Sequence, residues 1–146
     1  MDLFEELVMN YLTKFDDFIF IHHQYPIKAG PHSNNWIWPD FVVLNFKKKR
    51  VGVVEVSTAF NIDNLVKKVN DRDKNYITKI KEQLKLYNVI NDSWEDFMVE
   101  VFIRADRKHD FLKKLNNRNG VNVTKLEEVV SPWKYNAILK KTDKDS

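Results

Sequence analysis

The stretch of sequence that most constrains the fold is Val-Gly-Val-Val-Glu-Val at residues 51–56. Because successive side chains of a strand point to opposite faces, a run this apolar presents hydrophobic side chains on both faces. Such strands lie in the middle of a sheet that is covered on both sides. We therefore predict a central strand at Val51–Ser57, and the rest of the chain must supply its neighbouring strands and the covering helices.

The flanking sequence supplies both kinds of element, as its hydrophobic periodicity shows. Helices are predicted at 3–15, 62–88 and 108–115, and further strands at 18–28, 37–46, 97–104 and 121–130. Polar residues predict a loop at 29–35 and a charged turn at 47–50. The order α-β-β-β-α-β-α predicts an α/β fold with a mixed central sheet flanked by helices.

The chain has 146 residues and no visible linker or repeat, which predicts a single domain over residues 1–146. Its core is expected at about 3–104, followed by a helix and strand extension at 105–139 and a charged tail at 140–146. No apolar run is long enough to cross a membrane, and the acidic first residues are unlike the start of a signal peptide.

The chain contains no cysteine, which excludes disulfides and thiolate metal sites. Any metal would then have oxygen or histidine ligands. The lack of disulfides is compatible with a cytoplasmic protein, which we take as the expectation. A net charge of +3 gives weak support to a nucleic-acid partner.

Two carboxylates stand out because they interrupt strongly apolar strands: Asp40 in Trp-Pro-Asp-Phe-Val-Val, and Glu55 in Val-Val-Glu-Val. Burying an unpaired carboxylate is costly, so such groups are paired, hydrogen-bonded or bound to metal. A turn centred between Lys48 and Lys49 would place Asp40 opposite Ser57 and diagonal to Glu55, within reach of one cation.

Taken singly, each acid has an ordinary explanation: Asp40 could end its strand, and Glu55 could pair with a lysine. Taken together, two neighbouring carboxylates repel unless a proton or a cation joins them. Mg²⁺ is the natural cation, since it is hard and binds carboxylate and phosphate oxygens. We therefore favour a metal site.

Pro39-Asp40 followed fifteen residues later by Glu55-Val56-Ser57 resembles the PD-(D/E)XK signature of restriction-endonuclease-like nucleases. The family's αβββαβ core resembles the predicted element order over about residues 3–104. The resemblance implies that Asp40, Glu55 and the Val56 carbonyl bind Mg²⁺, or Mn²⁺ as a substitute. Many relatives add a glutamate from the first helix, and Glu5 fits this role better than Glu6 because it borders the apolar stripe.

The sequence departs from the family at the motif lysine, which is replaced by Ser57. Some relatives recruit a lysine from the following helix. If that helix is continuous, Lys68, Arg72, Lys79 and Gln83 share one flank. We take Lys79 as the relocated lysine; the alternative explanation of Lys79 is an ordinary surface lysine. Ser57 could orient the attacking water.

Gln83 and Tyr87 resemble the QxxxY element of the RecB-type and lambda-exonuclease-like branch of the family. This resemblance implies roles for both residues at the nucleic acid, with Lys68 and Arg72 on the same helix as further candidates. Lys48, in the basic turn, could contact the phosphate backbone. His22 and His23 point to opposite faces of their strand, so one of them could face the site.

These features predict a metal-dependent nuclease, with DNA favoured over RNA and endonuclease over exonuclease activity. The alternative is a catalytically silent nuclease-fold module that binds nucleic acid or a protein partner, and Ser57 is the feature that favours it. The small size favours weakly specific cleavage, as a homodimer or within a larger complex. An unrelated α/β domain would place Asp40 and Glu55 far apart.

Overall fold

A computed structural model describes residues 1–14, 19–28 and 36–130. The helices are α1 (Leu3–Thr13), α2 (Asp63–Asn70), α3 (Thr78–Leu86), α4 (Ala105–Lys114) and α5 (Leu126–Val130), with a π-helical turn at Asp73–Ile77 between α2 and α3. The strands are β1 (Ile19–His23), β2 (Ile27–Lys28), β3 (Trp36–Ile37), β4 (Phe41–Asn45), β5 (Arg50–Val56), β6 (Asp96–Ile103) and β7 (Val121–Lys125). The predicted loop at 29–35, the last part of the extension and the tail lie outside the described residues.

Five strands form one sheet in the order β1-β4-β5-β6-β7, and β2 pairs with β3 in a separate two-stranded ribbon. β1 and β5 each run antiparallel to β4, whereas β6 runs parallel to both β5 and β7. The fold is therefore α/β with a mixed central sheet flanked by helices, as predicted, and β5 is its central strand.

The side chains of β5 alternate between two hydrophobic layers, which explains why this strand is apolar on both faces. Val51 and Val53 pack with residues of the π-helical turn and α3, and the same face continues over β6 beneath α2 and α4. Val54 and Val56 pack on the opposite face with α1 and α5. Within the described residues, no helix is both long enough and apolar enough to cross a membrane.

The β4–β5 hairpin corrects the predicted register by two residues. Phe41 pairs with Val54 and Asn45 with Arg50, so the turn is centred between Lys47 and Lys48 rather than one residue later. The Asn45 side chain accepts a hydrogen bond from the Lys48 amide at 3.0 Å, which fixes this turn. Continued by one pair, the register puts Asp40 across from Glu55; the predicted pairing with Ser57 was wrong.

The predicted long helix at 62–88 is not continuous. The π-helical turn at Asp73–Ile77 inserts between α2 and α3 and changes the angular position of every later residue. The expectation that Lys68, Arg72, Lys79 and Gln83 share one flank depended on continuity and is wrong: Arg72 is buried while Lys68 is exposed.

Three predicted strands are also divided. The strand expected at 37–46 consists of the end of β3 at Ile37 and of β4, so residues 38–40 lie outside any strand. The strand expected at 18–28 consists of β1 and β2, and its first residue lies outside the described residues. The strand expected at 121–130 ends at Lys125, and α5 follows because Leu126 and Val129 pack against the α1 face of the sheet at helical spacing.

Candidate functional site

The candidate site lies at the edge of the sheet where β4 begins and β5 ends. Asp40 directly precedes β4, and its Oδ2 accepts a hydrogen bond from the Val56 amide at 2.6 Å. Its backbone carbonyl accepts a second bond from the Gln24 amide at 2.8 Å. These bonds tie Asp40 to β5 on one side and to the end of β1 on the other, so its position is set by the sheet.

Glu55 is buried in β5, with only 7% of its surface exposed. Its Oε1 accepts a hydrogen bond from the hydroxyl of Tyr76 at 2.9 Å. Tyr76 belongs to the π-helical turn and is itself buried. The π-helical turn thus delivers the phenol to the carboxylate, which agrees with the frequent occurrence of such turns at functional sites.

Glu5 comes to the same edge from the first turn of α1. It closes a capping box with Asp2, since each backbone amide donates to the other's side chain, at 2.8 and 3.0 Å. Its carboxylate lies beside Asp40 and 3.4 Å from the His23 Nε2. Glu6, the rejected alternative, is exposed. Glu5, Asp40 and Glu55 are hereafter the carboxylate cluster.

Asp40 and Glu55 hold protons more tightly than free carboxylates do. Burial, followed by the charge of Asp40, raises the pKa of Glu55 to about 7, although Lys68 and the Tyr76 hydroxyl act in the opposite direction. Burial also raises the pKa of Asp40, the Val56 amide lowers it, and neighbouring Glu5 raises it further. The three acids therefore cannot all be ionised comfortably unless a cation joins them.

The donor chemistry of the carboxylate cluster suits a hard divalent cation, because every ligand it offers is an oxygen. Asp40 is in contact with both glutamates. Within the part of the chain that is described, however, no three His, Asp or Glu side chains form a ready-made metal site. A cation would therefore have to displace the shared protons and draw the carboxylates around itself.

The residues expected to replace the motif lysine are placed differently from one another. The Ser57 hydroxyl accepts a hydrogen bond from the Ala59 amide at 3.2 Å, which shapes the turn after β5. Lys68, on α2, is exposed, and its charge lowers the pKa of Glu55. Lys79 is half-buried on α3.

The remaining predicted contacts to nucleic acid do not gather at the carboxylate cluster. Gln83 donates to the Pro26 carbonyl at 2.8 Å and accepts from the Lys28 amide, so it ties α3 to β2. Arg72 donates to three backbone carbonyls and is buried. Tyr87 and Lys48 are exposed, at the end of α3 and in the β4–β5 turn respectively.

Tyr76 and His23 are the site residues whose roles sequence reasoning did not establish. Tyr76 lies at helical spacing among the apolar residues of the predicted helix at 62–88, where core packing alone explains it, although a tyrosine buried in a core needs a partner for its hydroxyl. His23 was one of two open choices. It packs against Phe41 at 5.3 Å between ring centroids and lies beside Glu5, so it is the histidine that faces the site.

Comparison with known proteins gives no relative from which a role could be transferred: no family model matches the chain, and no significant similarity to a curated protein or a solved structure is found.

Proposed function

We propose that this protein is a metal-dependent nuclease of the PD-(D/E)XK type that hydrolyses phosphodiester bonds, DNA in preference to RNA. The observation that carries the proposal is the carboxylate cluster itself. Three elements distant in sequence bring three acids together at one edge of the sheet, where burial and mutual repulsion raise the pKa of Asp40 and Glu55. Such an arrangement destabilises the fold and is retained where it serves a function.

The topology supports the same proposal. An N-terminal helix precedes three consecutive antiparallel strands of the main sheet, β1, β4 and β5, and a helical crossover then leads to the parallel strand β6. This is the element order of the αβββαβ core. The acids occupy the start of β4 and the end of β5, as the PD and (D/E)XK parts of the signature do.

In the proposed site, Asp40, Glu55, the Val56 carbonyl and Glu5 would hold Mg²⁺, with Mn²⁺ as a substitute. A bound divalent ion lowers the pKa of its water and offsets charge on the attacked phosphate. Tyr76 keeps Glu55 oriented, and the Val56 amide does the same for Asp40. We assign the positive charge of the missing motif lysine to Lys68, whose charge reaches Glu55, and keep Lys79 as the second candidate.

The proposal is tested by cleavage of supercoiled plasmid and of linear single- and double-stranded DNA with Mg²⁺, Mn²⁺ or EDTA. Wild type is compared with Asp40→Asn and Glu5→Gln, which remove charge without changing shape. Glu6→Gln is the matched control, because it removes the same charge from the next position of α1, where the side chain is exposed. Nicking of closed plasmid identifies an endonuclease.

We expect metal-dependent cutting that is abolished by Asp40→Asn, weakened by Glu5→Gln and unchanged by Glu6→Gln. Lys68→Met should then slow cutting more than Lys79→Met. Metal-dependent cutting that survives Asp40→Asn would contradict the assigned site.

The alternative function is a silent nuclease-fold module that binds nucleic acid without cutting it. Ser57 favours this alternative, since a hydroxyl cannot supply the positive charge of the motif lysine and this one accepts a hydrogen bond that shapes the turn after β5. Well-folded wild type that binds DNA or RNA but cuts neither, under any of the metal conditions above, would establish it.

A further inference from the structure

Two exposed aromatic side chains lie close in sequence to the carboxylate cluster, one on the segment that leads into Asp40 and one on the turn that follows β5. Trp38 lies two residues before Asp40 and has 56% of its surface exposed. Phe60 lies five residues after Glu55 and is 62% exposed. Chain geometry limits these Cα separations to about 7 and 18 Å. Single exposed apolar residues are ordinary, but two that flank one group of acids form a distinct surface.

Phe60 is held in this position by two arginines. The Arg107 guanidinium carbon lies 4.5 Å from the centre of the phenyl ring, and that of Arg104 lies 5.5 Å from it, within the range of cation–π attraction. Arg104 directly follows β6, and β5 and β6 are parallel. The turn after β5 and the start of α4 therefore meet at the same edge.

Trp38 has an aromatic neighbour as well. Its ring centroid lies 6.4 Å from that of Trp36, which is also exposed. Only Pro39 separates Trp38 from Asp40, so the Cα of Trp38 lies within about 7 Å of that of Asp40. The segment before Asp40 and the turn after β5 thus each carry an aromatic side chain that is more than half exposed.

Exposed rings beside guanidinium groups match the chemistry of unpaired nucleotides. Every base has a π-face that stacks on an aromatic ring, and arginine supplies donors for the neighbouring phosphates. In a duplex, both faces of each internal base are already stacked. Asp106 and Asp110 each pair with one of the two arginines, so ring stacking rather than net charge is the main attraction here.

We infer that this edge binds a single-stranded nucleic-acid segment, with Trp38 and Phe60 stacking bases on opposite sides of the carboxylate cluster and Arg104 and Arg107 contacting the intervening backbone. As a statement about substrate, this inference rests on the proposed nuclease function. As a statement about binding, it can be measured without any cleavage.

The test is fluorescence anisotropy in EDTA with a labelled oligo-dT strand of about 20 nucleotides and a duplex of equal length. Phe60→Ala and Trp38→Ala are compared with Phe20→Ala. Phe20 is the matched control because it is also a phenylalanine and is 66% exposed. It pairs with Leu44, near the end of β4 that is remote from Asp40. Thermal melting verifies that each variant is folded.

We expect Phe60→Ala and Trp38→Ala each to weaken single-strand binding about tenfold and duplex binding less than about twofold, which is the range for loss of one stacked base. Phe20→Ala should change neither, and Phe60→Trp should retain binding. Unchanged single-strand binding in Phe60→Ala, or equal losses on both substrates, overturns the inference. Should Trp38→Ala not fold, the Phe60 pair of variants decides.

Failure of this inference and failure of the nuclease proposal give different results. If wild type and Phe60→Ala cut DNA equally well, the stacking surface is contradicted and the nuclease proposal stands. If single-strand binding depends on Phe60 but wild type does not cut in Mg²⁺ or Mn²⁺, the stacking surface stands and the nuclease proposal is contradicted. A labelled oligo-U strand in parallel distinguishes RNA from DNA as the preferred strand.

Discussion

Glu55 is subject to two opposing requirements. As a member of the hydrophobic strand β5 it would be most stable if neutral, and its pKa of about 7 reflects the free energy needed to ionise it among apolar neighbours and beside Asp40. As a ligand for a divalent cation it must be ionised. The Tyr76 hydroxyl and the charge of Lys68 both favour the ionised form of Glu55, but they do not offset the cost of ionising it in the hydrophobic strand.

Replacing Glu55 with glutamine should stabilise the metal-free protein at high pH. The folded-state pKa of about 7 lies above the ordinary glutamate value of 4.5, which applies in the unfolded state. The folded state therefore binds the extra proton between these values, and stability is lost as pH rises through that window. Glu55→Gln does not titrate, so above pH 7 it should be more stable than wild type by roughly 1–3 kcal/mol.

This difference is measured by urea unfolding in EDTA from pH 4.5 to 8.5. It should shrink as the pH falls toward 4.5, below which Glu55 is protonated in both states. Glu6→Gln is the control, and its stability should follow that of wild type at every pH. A Glu55→Gln variant less stable than wild type at pH 8 would contradict the assigned burial and repulsion.

Tyr76→Phe should have the opposite effect on the same carboxylate. The variant keeps the buried ring but removes the 2.9 Å hydrogen bond to Glu55. In wild type, this bond lowers the Glu55 pKa. We expect a loss of roughly 1–3 kcal/mol above pH 7 and a smaller loss near pH 5, because a hydrogen bond to a charged acceptor is the stronger one. Urea unfolding measures both, with exposed Tyr87→Phe as the unaffected control.

At the scale of elements, the junction between α2 and α3 does more than connect two helices. The π-helical turn directs Tyr76 to Glu55, and Arg72 just before it joins the end of α2 to the loop that leads into β7. The Arg72 guanidinium donates to the carbonyls of Val69, Asn117 and Asn119 at 2.9, 2.9 and 2.8 Å. The junction is thereby held between the sheet and the C-terminal part of the described chain.

Arg72→Met should therefore destabilise the fold by roughly 2–4 kcal/mol, since three backbone carbonyls, one of them in a buried hydrogen bond, lose their donor. Arg72→Lys should restore little of this, because one ammonium group cannot replace the planar guanidinium fork. Chemical unfolding gives both values, with exposed Lys74→Gln in the π-helical turn as the control. Full stability of Arg72→Met combined with weakened DNA binding would instead support a direct contact to nucleic acid.

At the scale of the whole molecule, the features that depend on the hydrophobic pattern were predicted well from the sequence. The features that depend on polar contacts were predicted poorly. The valine run at 51–56 predicted the central strand because burial on both faces leaves no other place for it. The lysine-rich turn carried no comparable signal, so the bond from Lys48 to Asn45 that sets the register was missed. The continuity of the long helix was left open, since apolar spacing alone does not reveal a π-helical turn.

The carboxylate cluster was anticipated in its members and not in its geometry. Asp40 and Glu55 were conspicuous because acids are rare in apolar strands, and Glu5 followed from its place on α1. Their actual contacts depend on the hairpin register and on Tyr76, which looked like any other core aromatic. Long-range side-chain partners of this kind leave no local pattern in a sequence.

The carboxylate cluster should also couple divalent metal to global stability. A cation that binds only the folded state stabilises it by about 1 kcal/mol when its free concentration is about five times its dissociation constant. Mg²⁺ or Mn²⁺ should therefore raise the melting temperature of wild type. The rise should be larger at pH 8 than at pH 6, because the metal competes with the protons that Glu55 releases near pH 7. Asp40→Asn should abolish the rise while Glu6→Gln preserves it, as measured by calorimetry against EDTA; a rise of equal size in Asp40→Asn would place the metal elsewhere on the protein.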